Sequence, residues 1–294
     1  MRLTLSAAPE PAHRLRLLGA GGAFSRRYGT TCAELRMPDH KRWLIDCGRQ
    51  APDQLHAVGL RWHDIEGQII THVHGDHVFG LEDFAFQRFF VDEPDVPSVR
   101  SGGPRIKLVC HAAVREEVWE TLAPSLRYVP GGDDPRSGTL AHYFEVLEAC
   151  GREPPKNNAW PHAERFEHGP LRLVTRETVH VPGKPSTSLE IELGDSGRVA
   201  WWSGDSIVDA ALLTALEPRT TIFFHDCTFA EYPGQVHGAF GMLEQLPAAV
   251  RAKLVLMHHE DDLEVHRTRA ESLGFRIALP GDSFDLDRGI RLEA

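Results

Sequence analysis

The chain has 294 residues, 41% of them hydrophobic, which is enough for a sizeable core in one large domain or two small ones. Lys and Arg total 32 against 42 Asp and Glu, a formal charge of −10. That balance counts against general nucleic-acid binding, which needs phosphate neutralisation. Cys32, Cys47, Cys110, Cys150 and Cys227 are odd in number, scattered and without a CxxC pair, which argues against a disulfide framework or a thiolate zinc site.

In chain order, RLRLLGAGGAF reads as a strand running into a glycine turn. AELRMP and KRWLIDCG read as a hairpin with Pro38 and Asp39 in the turn. QAPDQLHAVGL predicts a short helix, and IEGQIITHVHGDH a strand ending in a cluster of polar rings. GLEDFAFQRFF predicts a helix whose Phe84 and Phe86, with Phe79 before it, are assigned to packing. RIKLVCHAAVREEVWETL predicts a strand and then a helix with Val114, Val118 and Leu122 on one face. Residues 125–165 are rich in Pro, Gly and charge around a short helix, AHYFEVLEA, and read as an insertion. PLRLVTRETVHV, STSLEIELG and GRVAWWSGD are strands, with Trp201 and Trp202 in the core. SIVDAALLTAL is a helix, TTIFFHDCTF a strand, GMLEQLPAAVRA a helix, and KLVLMHHED a strand ending in histidines. HRTRAESLGFRIALPGDSFDL closes the chain as helix, strand, turn and strand. This alternation predicts an α/β layered domain spanning residues 1–294. The N-terminus lacks a signal-peptide core and no segment approaches the ~18 apolar residues of a membrane span. The expectation is a soluble, cytoplasmic protein with no membrane partner.

Four apolar strands end in metal-capable residues: His72, His74, Asp76 and His77 in THVHGDH, His180 in TVHV, Asp205 in WWSGD, and His258 and His259 in LMHHE. Strand ends are rigid, so ligands placed there can converge at one rim of a sheet. His72 and His74 are two apart and project to one side of an extended segment. Gly75 lets the chain turn, so that Asp76 and His77 face a second position. Neutral imidazoles and carboxylates suit zinc or a similar first-row metal. His13, His40, His56, His63, His142, His162, His168 and His266 are assigned to surface or ordinary core roles, and His111 is a helix-cap neighbour.

HxHxDH after an apolar strand resembles the metallo-β-lactamase fold superfamily. LGAGGAFS, LIDCG, THVHGDH and SGDS follow its order. The resemblance implies an αββα four-layer sandwich with a dinuclear metal site at the sheet edge. It implies that His72, His74 and His180 bind one metal, that Asp76, His77 and His258 bind a second, and that Asp205 bridges both. His259 is the alternative to His258. Asp46 of LIDCG would support the metal loop by hydrogen bonds rather than bind metal. His225 and Asp226 would support the site in the same way. Zinc is the default ion, with manganese or iron as alternatives.

LGAGGAFSRRYGTTCAEL is similar to the opening of the ribonuclease Z and cyclic-nucleotide phosphodiesterase branch. His180 stands in TVHVPGKPSTSLEIEL rather than in the G-H-[ST]-x-G segment of lactamase, glyoxalase and lactonase branches. FHDCTFAEYPGQVHGAF resembles a further segment of the phosphodiesterase branch, although that segment usually reads E-A-T-F and H-S-T. By this match His237 is a general acid or phosphate contact, and Asp76 orients the nucleophile. Lys184 lies in the loop after His180 and could meet a phosphate. The resemblance implies a two-metal phosphodiesterase. Its substrate would be a small phosphodiester such as a cyclic nucleotide, or RNA 3′ ends, the latter disfavoured by net acidity. A thioester, lactone or β-lactam hydrolase on the same fold is the alternative. A homodimer is common in that branch.

Overall fold

The computed structural model describes residues 10–128, 138–155, 161–230 and 232–293. The strands are β1 (Arg14–Gly19), β2 (Cys32–Arg36), β3 (Arg42–Ile45), β4 (Ile65–Ile70), β5 (Ile106–Cys110), β6 (Phe144–Val146), β7 (Gly151–Glu153) and β8 (Ala163–His168). They continue as β9 (Leu171–Thr178), β10 (Ser186–Glu192), β11 (Val199–Trp202), β12 (Thr220–Asp226), β13 (Leu254–Met257), β14 (Arg276–Ile277), β15 (Ser283–Asp285) and β16 (Ile290–Arg291). One sheet has the order β16-β15-β1-β2-β3-β4-β5-β6, the other β14-β13-β12-β11-β10-β9-β8-β7.

Side-chain alternation explains how these strands stack into four layers. Ile69 and Val109 of the first sheet meet Trp202, Phe224 and Val255 of the second in a central apolar cluster. The next residues along, Ile70 and Cys110, turn outward onto Val114, Val118 and Leu122 of the helix Ala112–Leu126. On the opposite outer face, Trp201 and Phe223 pack on Leu212, Leu213 and Leu216 of the helix Ala210–Leu216. A strand covered on both faces reads as a continuous apolar run, as IEGQII and VAWW do. The result is the αββα sandwich of the metallo-β-lactamase fold.

Three expected elements differ. AHYFEVLEA holds one helical turn, Leu140–Tyr143, followed by β6, which pairs in parallel with β5. Tertiary pairing at the sheet edge overrides the local helical pattern there. GMLEQLPAAVRA is two short helices, Phe240–Leu243 and Ala248–Arg251. Pro247 separates them, because it has no N–H to continue the first. The segment expected as an insertion supplies β6 to one sheet and β7 and the start of β8 to the other, while residues 129–137 and 156–160 lie outside the described residues. Phe84 is buried and Phe86 packs against the outer cluster, but Phe79 is exposed, with its ring against Gly75.

Direction places the site. β11, β12 and β13 are parallel neighbours, and β9 runs with them because it is antiparallel to β10, which is antiparallel to β11. Their C-terminal ends therefore share one rim. β4 brings its own C-terminal end there: Thr187 N donates to Thr71 O, and His72 bridges Ser186.

Candidate metal centre

Each candidate ligand follows the end of one of these strands. His72 and His74 leave β4 in extended conformation. A single helical turn, Gly75–Val78, then carries Asp76 and His77. Gly48 makes this possible from the other side: a Cβ there would sit 1.9 Å from the Asp76 carbonyl oxygen. His180 follows β9, Asp205 follows β11, and His258 follows β13 in the left-handed region at φ 63°.

Two donor clusters result. His72, His74, His180 and Asp205 form the first, and Asp76, His77, His258 and Asp205 the second. In the first, His74 Nδ1 lies 3.1 Å from His72 Nε2 and 3.2 Å from His180 Nε2. In the second, Asp76 Oδ2 lies 3.2 Å from His77 Nε2 and 3.3 Å from His258 Nε2. Asp205 Oδ2 is 3.7 Å from His72 Nε2, 3.4 Å from His77 Nε2 and 3.2 Å from His258 Nε2, so it faces both clusters. His259 points elsewhere: its Nε2 is 3.1 Å from the Ala278 carbonyl and its ring meets Tyr28 edge-on.

The far nitrogens of these rings are held by other groups, which fixes the tautomer. His77 Nδ1 donates to Asp46 Oδ2 at 2.9 Å. Asp46 is buried, sits at φ 59°, and also accepts from Thr71 N and Thr71 Oγ1. Thr71 Oγ1 in turn lies 3.1 Å from His72 Nδ1, so one carboxylate orients two rings. His180 Nδ1 donates to Val236 O at 2.9 Å. Sequence reasoning missed Thr71 and Val236: a threonine beside a histidine and a backbone carbonyl carry no residue-type signal.

Electrostatics divide the two clusters. Burial holds the His72 imidazole well below its usual range, with help from the His77 charge. Burial takes His74 down to about 4, and His180 is lowered for the same reason. These rings are neutral at neutral pH, the state a metal needs. Burial opposes charge on His258 too, but Asp205 and Asp76 outweigh it and raise His258 to about 9. His77 is raised by Asp76, Asp205 and Asp46 against the same burial. Asp76 and Asp205 stay ionised because these cationic rings offset their desolvation.

The donor set fits divalent cations. His77 Nε2 is buried and makes no hydrogen bond among the described residues, although two carboxylates flank it. Five imidazoles and two carboxylates offer N and O donors that suit such an ion, and without one the protonated His77 and His258 supply the charge that balances Asp76 and Asp205.

Beside the clusters, His237 Nδ1 donates to Asp226 Oδ2 at 3.1 Å. Asp226 is buried, and hydrogen bonds from His225 and His237 hold it well below the usual carboxylate range against its desolvation. It also accepts from Ser203 Oγ, Ser206 N and Gly238 N. His225 Nδ1 lies 3.0 Å from Asp226 Oδ1. Lys184 pairs with Glu117 at 3.1 Å. His111 caps the helix Ala112–Leu126 by accepting from Ala113 N, and its Nε2 lies 3.0 Å from His162 Nδ1.

The model of the Anti-Pycsar protein Apyc1 family matches residues 13–277. The chain belongs to the Anti-Pycsar protein Apyc1 family. It is 31% identical over 278 residues to the family member from Bacillus phage 010DV004, covering 92% of this chain and 98% of that relative. It is 33% identical over 267 residues to the member from Paenibacillus sp. (strain J14), covering 90% and 96%. In structure it is similar to human tRNase Z, short form, with a TM-score of 0.64, 18% identity, and 93% and 99% of the two chains covered. It is similar to a diphosphatase from the PhnP family, with a TM-score of 0.63, 18% identity and 92% and 96% coverage. Zn²⁺-bound PqqB from Methylobacterium extorquens shares the fold at a TM-score of 0.57 and 13% identity, over 93% and 100% of the chains. Membership of this family, with the donor clusters described above, makes the chain a metal-dependent hydrolase. Among the described residues no helix is long and apolar enough to cross a membrane.

Proposed function

We propose that the chain is a two-metal phosphodiesterase acting on a small phosphodiester such as a cyclic nucleotide. The observation that carries this reading is Asp205, one carboxylate facing two four-residue donor clusters. His72, His74, His180 and Asp205 would hold one divalent ion, and Asp76, His77, His258 and Asp205 the other, with zinc the first choice for such N/O donors. Two divalent ions held by these residues would polarise a phosphoryl oxygen and lower the pKa of bound water to about 7.

The remaining steps belong to side chains. Asp76 accepts hydrogen bonds from the nucleophile and directs it toward phosphorus. His237 donates Nδ1–H to Asp226, which orients the ring. A proton carried on its Nε2 would pass to the leaving oxygen, which is general acid work. A chain of formal charge −10 with acidic residues near its site suits a small ester better than a long polyanion.

The test is hydrolysis of bis(p-nitrophenyl) phosphate by metal-loaded protein beside Asp76→Ala. Turnover present in the wild type and lost in a folded variant supports the reading. Absent turnover in protein holding two metals overturns it in favour of a thioester or lactone substrate.

A further inference from the structure

A further donor cluster lies outside the two that share Asp205. His111, His162 and Glu177 bring three ligand atoms within 4.8 Å of one another. His111 follows the last residue of β5 in the first sheet, and Glu177 lies near the end of β9 in the second. His162 precedes β8, where the register Ala163↔Arg176 sets it opposite Glu177, and Glu177 N donates to His162 O at 2.9 Å. Residues directly opposite on neighbouring strands present their side chains on one face. β5 runs parallel to β4, so the cluster joins the two sheets at the rim that carries the metal centre. Glu177 stands three residues before His180 in the chain.

The spacing matches that of donors around one ion. His111 Nε2 lies 3.0 Å from His162 Nδ1, and His162 Nδ1 lies 3.6 Å from Glu177 Oε1. Tetrahedral donors at about 2.0–2.1 Å from zinc stand about 3.3 Å apart, between these two values. His111 is buried, while the side chains of His162 and Glu177 are 27% and 45% exposed, so an ion can enter from solvent. In the metal-free chain His111 Nδ1 accepts from Ala113 N at 3.2 Å, which leaves the proton on Nε2 to be donated to His162 Nδ1. A cation between the rings replaces that shared proton, which moves to His111 Nδ1, and both rings stay neutral. Ala113 is exposed, so its N–H turns to water. The positive end of the helix Ala112–Leu126 opposes a cation here. Two carboxylates offset it: Glu177 in the cluster, and Glu164, whose Oε2 accepts from Ala112 N at 2.8 Å.

We propose that His111, His162 and Glu177 form a separate site for one divalent cation, zinc first among ions for such N/O donors. The ion tethers the end of β5 to the paired strands β8 and β9. Three protein donors leave a fourth position to water. With fewer donors and partly exposed side chains, this site fills after the centre built on Asp205. The proposal does not depend on the phosphodiesterase reading.

The experiment compares wild type, His162→Ala and Glu177→Gln after dialysis against zinc held at micromolar free concentration by a chelator. Bound zinc is counted by elemental analysis, and circular dichroism checks that the variants fold. His162→Ala holds one equivalent less than wild type, and Glu177→Gln binds that same equivalent more weakly. Anomalous diffraction at the zinc edge locates the ion: wild type shows a peak bounded by His111, His162 and Glu177, and His162→Ala shows none there. Equal zinc in wild type and both variants overturns the proposal. So does a wild type in which this position fills only at millimolar zinc, the mark of an adventitious ion only. The difference between chains decides, so a different number of ions at the Asp205 centre shifts every total alike and leaves this test intact.

Discussion

Asp46→Asn is nearly isosteric, yet it should disable the second donor cluster. Asp46 Oδ1 accepts from Thr71 N at 2.9 Å, while Oδ2 accepts from Thr71 Oγ1 and His77 Nδ1, each at 2.9 Å. Asparagine supplies one oxygen and one NH₂ group. With the NH₂ group at the Oδ2 position, His77 Nδ1 must become an acceptor. Its proton moves to Nε2, the atom that faces Asp76 and Asp205. With the amide flipped, the NH₂ group meets Thr71 N–H instead. Either way one buried donor loses its acceptor, which costs about 1–3 kcal/mol of stability. Losing the partner that orients a ligand histidine lowers metal affinity about 10–100-fold. Competition with a chromogenic chelator measures the affinity and thermal denaturation the stability. A variant that binds metal as tightly as wild type would refute the role given to Asp46.

Other outcomes follow from the same geometry. His237→Ala lowers kcat and leaves metal content intact, measured by elemental analysis beside turnover; lost metal would place His237 among the ligands instead. His258 is raised to about 9 and His77 is also raised in the metal-free protein, so metal uptake at pH 7.5 releases protons. Calorimetry in buffers of different ionisation enthalpy detects this, and heats independent of buffer would contradict it. For the metal-free protein the sign of the linkage is set by these raised values. Stability from His258 is fully present below about pH 6.5 and is lost as pH rises through about 9, His77 contributes in the same direction, and the trend is visible in denaturant midpoints. Gly48→Ala would press a methyl group onto the Asp76 carbonyl, shifting the helical turn Gly75–Val78 and weakening metal binding more than it perturbs the circular dichroism of the fold.

The layered architecture was legible because most strands are apolar runs with chemistry at their ends. THVHGDH, TVHV, WWSGD and LMHHE gave the rim residues, and the structure gathers these side chains into two clusters. The choice between His258 and His259 was not legible. Both follow LVLM, and only the left-handed backbone at His258 turns the first toward Asp205 and the second toward Ala278. Edge strands were also hidden. β6 and β7 are three residues each and owe their form to a neighbouring strand, so a local pattern could not announce them.

The central claim is two metals acting together on a phosphodiester. The direct test is to titrate metal-free protein with zinc while following bis(p-nitrophenyl) phosphate turnover and bound metal in the same samples. The account predicts that turnover climbs with the second equivalent bound and is absent in Asp76→Ala. Full turnover at one equivalent, or none with two equivalents bound, would contradict it.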